Sequence, residues 1–302
     1  MIKIKLLSTL LVVCLFFSAK IYSQNPLFWG ADPSGIVAQD GRLFVFPTND
    51  KKDWSDQKEW HCLSTTDTKT WTDHGVIFNT TMSGWGVDNA WAPDITYKNG
   101  TYYFYYYFHN GEHRKEVPGG VGVATSKNIE GPYTDALGKR MIPGHDPAIF
   151  NDDDGKSYLY IQDKVYILNE DMISVENKEP INLNLEYRPK KFEAAYVFKR
   201  HGIYYFTIAR DWNNLIYYTG KSPLGPFEFK GEIMKPYGGN NHHSILKYKD
   251  DWIIFYHEWA PKESEVSNRR IRAEYIYFNE DSTIQLVEPT KEGISIPSKR
   301  KT

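Results

Sequence analysis

A chain of 302 residues that is 41% hydrophobic, 25% charged and 16% aromatic is neither a disordered polymer nor a bundle of membrane spans. Its formal charge of −2 offers no basic surface for nucleic acid or anionic lipid. One well-packed domain is expected, and 22 Tyr, 16 Phe and 9 Trp, gathered in runs such as TYYFYYYF at 101–108, suit pleated strands better than helices.

The N-terminus comes first in chain order. Lys3 and Lys5 precede an apolar run from Leu6 to Phe17, and the small residue Ser23 follows. A run of about 12 residues falls short of the roughly 20 needed to span a bilayer, so residues 1–23 are expected to form a signal peptide. The mature chain, 24–302, is then exported to the periplasm or beyond, with no membrane insertion after the leader is removed. Without those residues 33 basic side chains face 38 acidic ones, and Cys62 is the only cysteine remaining. An exported protein so built has no internal disulfide and depends on its core.

Beyond the leader a repeat emerges. QDGRLFVFP (39–47), KNGTYYFYY (98–106), DDGKSYLYI (153–161), RHGIYYFTI (200–208) and KDDWIIFYH (249–257) each join a two-residue turn signal to strand-forming residues. The markers Gly41, Gly100, Gly155, Gly202 and Asp251 lie 59, 55, 47 and 49 residues apart. A strand-built period of roughly 40–50 residues predicts an all-β fold, a five-bladed β-propeller with about four strands per blade. Segments 59–71, 120–133 and 215–227 resemble one another and are expected in the outer halves of blades one, two and four. The basic tail at 298–302 is expected to fray.

Nine positions before each marker stand Asp32, Trp91, Asp146, Glu193 and His242. Because the first strand of each propeller blade lines the axis, equal offsets predict that these five side chains ring one funnel at similar height. Asp94 is slightly out of register, either joining the site or satisfying backbone amides. Three carboxyl groups in one low-dielectric funnel cannot all ionise freely, so their pKa values are pushed apart. Acid and base work on a glycosidic bond needs such a separation. Trp91, with Trp29 and Trp85 as further candidates, would offer a flat face to a sugar ring. Each acid taken alone has a plainer reading as a strand-start cap, but the shared offset argues for the trio.

At these residues the chain resembles glycoside hydrolase family 43 and its wider clan of five-bladed glycosidases. The likeness rests on ADPS near the start, WAPD in the second repeat, HDPA in the third, FEAAYVFKRHGIYYF in the fourth and NHHSI in the fifth, all in family order. It implies Asp32 as general base, Glu193 as general acid and Asp146 as the carboxylate that raises the acid's pKa and orients it, in an inverting reaction. It further implies that His242 stands near a structural calcium ion in the axial channel, one not required for the chemical step; the adjacent His243 competes for that part. Of the late pair Arg269 and Arg270, one is expected to reach a sugar hydroxyl or the catalytic carboxylates, and Arg270 is favoured because strand alternation sends only one inward. The implied partners are arabinose- or xylose-containing glycans, attacked in exo mode by an α-L-arabinofuranosidase or β-xylosidase. Endo-arabinanase, exo-galactanase and an inactive glycan-binding propeller are the alternatives.

Overall fold

The computed structural model describes residues 20–22, 24–234, 239–262 and 267–299. Of the expected leader, residues 1–19 and 23 lie outside the described residues, as do 300–302 of the tail. The chain forms five antiparallel sheets, each the blade of a propeller.

Blade one runs through Ala31–Val37, Leu43–Thr48, Glu59–Thr65 and Thr70–Asn79, with Lys20–Tyr22 added as a fifth, outermost strand. Blade two comprises Ala90–Lys98, Thr101–Phe108, Gly120–Ser126 and Thr134–Asp135. Blade three comprises Pro147–Asn151, Ser157–Ile161, Lys164–Leu168 and Ile181–Asn182, and blade four Phe192–Arg200, Ile203–Arg210, Asn214–Gly220 and Phe227–Met234. Blade five borrows its last strand from the start of the chain: Phe28–Trp29 pairs with Arg269–Ile276 outside Asp251–Trp259 and His243–Tyr248. That exchange closes the ring. The three segments expected in outer halves supply the third strands of blades one, two and four.

The hairpin turns follow from the repeat. Asn99-Gly100 and His201-Gly202 both hold positive φ, the pattern whose twist suits a two-residue hairpin. In the fifth repeat the turn is Lys249-Asp250, and Asp251 already pairs with Tyr248, so the marker there sits one residue late.

The core lies in the seams between blades. Period-two alternation along Thr101–Phe108 sends Tyr102, Phe104, Tyr106 and Phe108 toward blade one, where they meet Phe46, Trp60 and Phe78, while Tyr105 packs with Leu159 and Ile161 of blade three. Both faces of the strand are buried, which explains an aromatic run without polar interruption. The same arrangement gives one apolar cluster at each of the five seams. Cys62 is wholly buried in the first, its thiol pushed up by burial. Among the described residues no helix is long and apolar enough to cross a membrane.

Candidate active site

The first strands of three blades enter the axis through an irregularity. In blades one, two and four the ladder slips between Ala31 and Ser34, Trp91 and Asp94, and Glu193 and Tyr196. Each bulge opens on a positive-φ residue: Asp32 at 49°, Ala92 at 30° and Ala194 at 56°; Asp146 at 54° occupies the matching place before Pro147. Bulges re-aim side chains at strand ends. Aligned on that residue, Trp91 and Glu193 sit one position earlier than Asp32 and Asp146, so the five offsets are near but not equal. All five side chains nevertheless line one cavity of about 370 Å³, together with Trp54, Tyr107, His109, His145, Asn240 and Arg269.

Asp32 is buried and strongly held. Its Oδ1 accepts from Arg269 Nη1 at 3.0 Å and its Oδ2 from Thr48 Oγ1 at 2.8 Å. Its strained backbone is pinned by its N–H donating to His257 Nδ1 at 3.1 Å, while His257 Nε2 bonds the Asn240 carbonyl, fixing a neutral ring. Burial works to raise the Asp32 pKa, but the Arg269 guanidinium, with His242, outweighs it and the carboxyl lies below its ordinary value.

Glu193 is the opposite case. Among the described residues its carboxyl has no hydrogen-bond partner, and burial, then the Asp146 charge, push its pKa up to about 8 despite the nearby His145. Asp146 itself stays well below the carboxylate range: burial opposes ionisation, but His145, with Nδ1 3.1 Å from Oδ2, overcomes it, and the Ala194 N–H donates to Oδ2 at 3.4 Å. One cavity therefore carries two ionised carboxylates and one carboxylic acid that keeps its proton at neutral pH.

Asp94, Trp29, Trp85 and Arg270, all expected at the site, do not line this cavity; Trp85 packs in the first seam, its Nε1 donating to the Tyr106 hydroxyl at 3.0 Å. Asp94 lies further along its strand, wholly enclosed, accepting from Ser34 Oγ at 2.5 Å, Ile95 N at 2.9 Å and Ile149 N at 2.7 Å. It ties blades one, two and three together, and burial lifts its pKa to about 7. Trp29, 45% exposed, belongs to the closing strand and carries the Arg270 guanidinium over its ring. Arg270 bonds Glu258, and it is Arg269 that enters the cavity. Alternation does separate the pair, but its parity is set by the pairing of Arg270 with Trp29.

His242 lines the cavity with Nδ1 3.6 Å from Asp32 Oδ1. His243 is buried beneath it, bonding Thr207 Oγ1 at 2.6 Å, and burial drives its pKa down to about 3. Among the described residues no three His, Cys, Asp or Glu side chains converge as metal ligands. Calcium asks for six to eight oxygens, and the carboxylate nearest His242 is committed to Arg269 and Thr48. A calcium ion here would be held by His242 and otherwise largely by water, with no protein-built oxygen cage among the described residues.

An aromatic wall faces the acids. His109 stacks on Trp91 at 5.0 Å, and Trp54 meets Trp91 edge-on at 5.3 Å. Trp54 comes from a short 3-10 turn, Trp54–Asp56, on the rim between two strands of blade one. Nothing in the repeat pointed to it; His145, by contrast, adjoins a residue already singled out.

Residues 23–284 match the model of glycosyl hydrolases family 43. The chain is 31% identical to an arabinoxylan arabinofuranohydrolase of Paenibacillus polymyxa, across 90% of its own length and 53% of that protein's, so it spans about half of that relative. It is 27% identical to a xylosidase/arabinosidase of Bacteroides ovatus, over 85% of this chain and 94% of the relative. Among solved structures, a family 43 β-xylosidase/α-arabinofuranosidase from a compost microbial metagenome, in complex with xylotriose and in a calcium-free form, superposes with a TM-score of 0.76 at 26% identity, covering 90% of this chain and 98% of that one. An α-L-arabinofuranosidase from Clostridium thermocellum gives 0.72 at 32% identity, covering 87% and 94%.

Proposed function

Because this chain belongs to glycosyl hydrolases family 43, we propose that it is an exo-acting, inverting glycoside hydrolase that removes α-L-arabinofuranosyl or β-D-xylosyl residues from arabinose- or xylose-containing glycans. Asp32, ionised, takes a proton from the attacking water. Glu193, protonated, gives its proton to the leaving glycosidic oxygen. Asp146, ionised beside it, keeps that proton in place until transfer. A single displacement between two carboxyl groups on opposite sides of the sugar inverts the anomeric centre.

The observation that carries this reading is the opposed bias on two carboxyl groups of one cavity, Asp32 held below its ordinary range and Glu193 raised to about 8. Exo action is supported by the cavity itself, whose 370 Å³ falls at the small end of the range for ligand pockets and whose wall is drawn from all five blades. Trp54 and Trp91 supply the apolar faces on which a sugar ring rests.

Export belongs to the same proposal, with residues 1–23 as the leader. Cleavage after Ser23 removes Lys20–Tyr22, the extra strand of blade one, and leaves four strands as in the other blades.

The test is hydrolysis of nitrophenyl α-L-arabinofuranoside, β-D-xyloside and β-D-galactoside beside linear arabinan, with the first product's anomer read by NMR. Turnover of one of the first two with inversion is expected, and Glu193→Ala should lose about 10²–10⁴-fold on oligosaccharides with poor leaving groups. Binding without turnover in either form would make the chain a lectin; retention would exclude the mechanism.

A further inference from the structure

Asp50 was not singled out by the repeat and does not line the cavity, yet it is among the most heavily bonded carboxylates in the molecule. It is 2% exposed and accepts from six donors. Oδ1 takes Gln57 Nε2 at 2.6 Å and Arg269 Nη2 and Nε at 2.9 and 3.2 Å. Oδ2 takes the Arg269 N–H at 2.7 Å, the Asn268 N–H at 2.8 Å and Ser267 Oγ at 2.8 Å.

The same carboxylate therefore grips both the main chain and the side chain of Arg269, leaving Nη1 to reach Asp32 at 3.0 Å. An arginine fork bound along one edge by a fixed acid has little freedom at the other. The grip also joins two rim segments that are over 200 residues apart in sequence: Asn268 Nδ2 donates to the Lys51 and Lys52 carbonyls at 2.8 and 3.1 Å, and the Arg269 guanidinium lies over Trp54 at 5.8 Å.

We propose that Asp50 is a positioning residue that sets Arg269 against Asp32 and fastens the 49–58 rim to blade five. The proposal rests on the reading of Asp32 as the base. Asp50→Asn is the sharp probe, because an amide NH₂ must then face donors that only a carboxylate oxygen satisfies.

The experiment measures kcat and KM on a nitrophenyl glycoside for Asp50→Asn, Arg269→Ala and the double variant, with rates scaled to the folded fraction by near-UV circular dichroism. Asp50→Asn should lower kcat about tenfold with KM changed less than about threefold, and should cost less than about twofold more in the Arg269→Ala background, as expected of residues acting through one another. Losses that multiply, or a kcat within twofold of the parent, would overturn the proposal. Should Asp50→Asn not fold, Gln57→Leu removes one anchor while keeping the charge; a kcat loss of about two- to threefold that vanishes in Arg269→Ala supports the strut, and an equal loss in both backgrounds refutes it. Asp32→Ala separates the two levels. If it still turns over, the base assignment fails; if it is inactive while Asp50→Asn is unimpaired, only the strut fails.

Discussion

His145 and Asp146, consecutive in the chain, form an ion pair on the cavity wall, Nδ1 standing 3.1 Å from Oδ2. The Asp146 charge, acting against burial, lifts the imidazole pKa to about 9. The histidine is thus a counterweight: its positive charge lowers the Glu193 pKa that Asp146 raises. Replacing it by leucine removes that lowering influence; Asp146 loses its main counter-charge but keeps the Ala194 N–H and stays ionised at the pH of the alkaline limb. The alkaline limb of kcat/KM, set by Glu193 losing its proton at about 8, should therefore move to higher pH in His145→Leu. A limb that moves down would assign the histidine another role.

Asp146→Asn should act with the opposite sign. Without the neighbouring anion Glu193 ionises earlier, so the alkaline limb falls by about one pH unit, and activity at pH 8 drops about fivefold while the acidic limb is little changed. The same pH–rate series for wild type and variant checks this.

The two adjacent arginines should separate cleanly in an alanine comparison. Arg269→Ala removes the ion pair that keeps Asp32 ionised and should cost on the order of 10²-fold in kcat/KM. Arg270→Ala leaves Glu258 still bonded to Arg272 at 2.9 Å and should change kcat/KM less than about threefold. Equal losses would mean that the cavity is shared by both.

A stability prediction concerns the ring closure. Asn25 clasps blade five, its Nδ2 donating to the Ala273 and Thr290 carbonyls and Glu274 Oε1, and its Oδ1 accepting the Ala273 N–H at 3.0 Å. Asn25→Ala leaves buried groups unsatisfied and should destabilise the protein by about 1–3 kcal/mol, read from urea unfolding, with kcat of the folded protein nearly unchanged.

Blade number, hairpin positions and the gathering of Asp32, Asp146 and Glu193 were legible because they rest on local turn chemistry repeated at a near-constant interval. What lay beyond reach depended on register and on loops. Arg269 and Arg270 differ only by the parity of a strand whose partner, Phe28–Trp29, comes from the other end of the chain. Asp94 stands beside a proline like Asp32 and Asp146, yet the bulge at Ala92-Pro93 carries it past the cavity to backbone amides. Trp54 and Asp50 sit on a rim segment between strands of blade one with no periodicity to mark them, and their meaning appears only when Arg269 arrives opposite. His145 was visible as a residue but not as a charge, since its ionisation depends on a 3.1 Å contact.

The exchange of Phe28–Trp29 into blade five has a bearing on when catalysis can begin. Asp32 emerges near the start of synthesis and its guanidinium partner 237 positions later, so the pair exists only after the last blade has docked on the first. Competence is thereby tied to completion: the base meets its guanidinium only when the two ends of the chain share a seam.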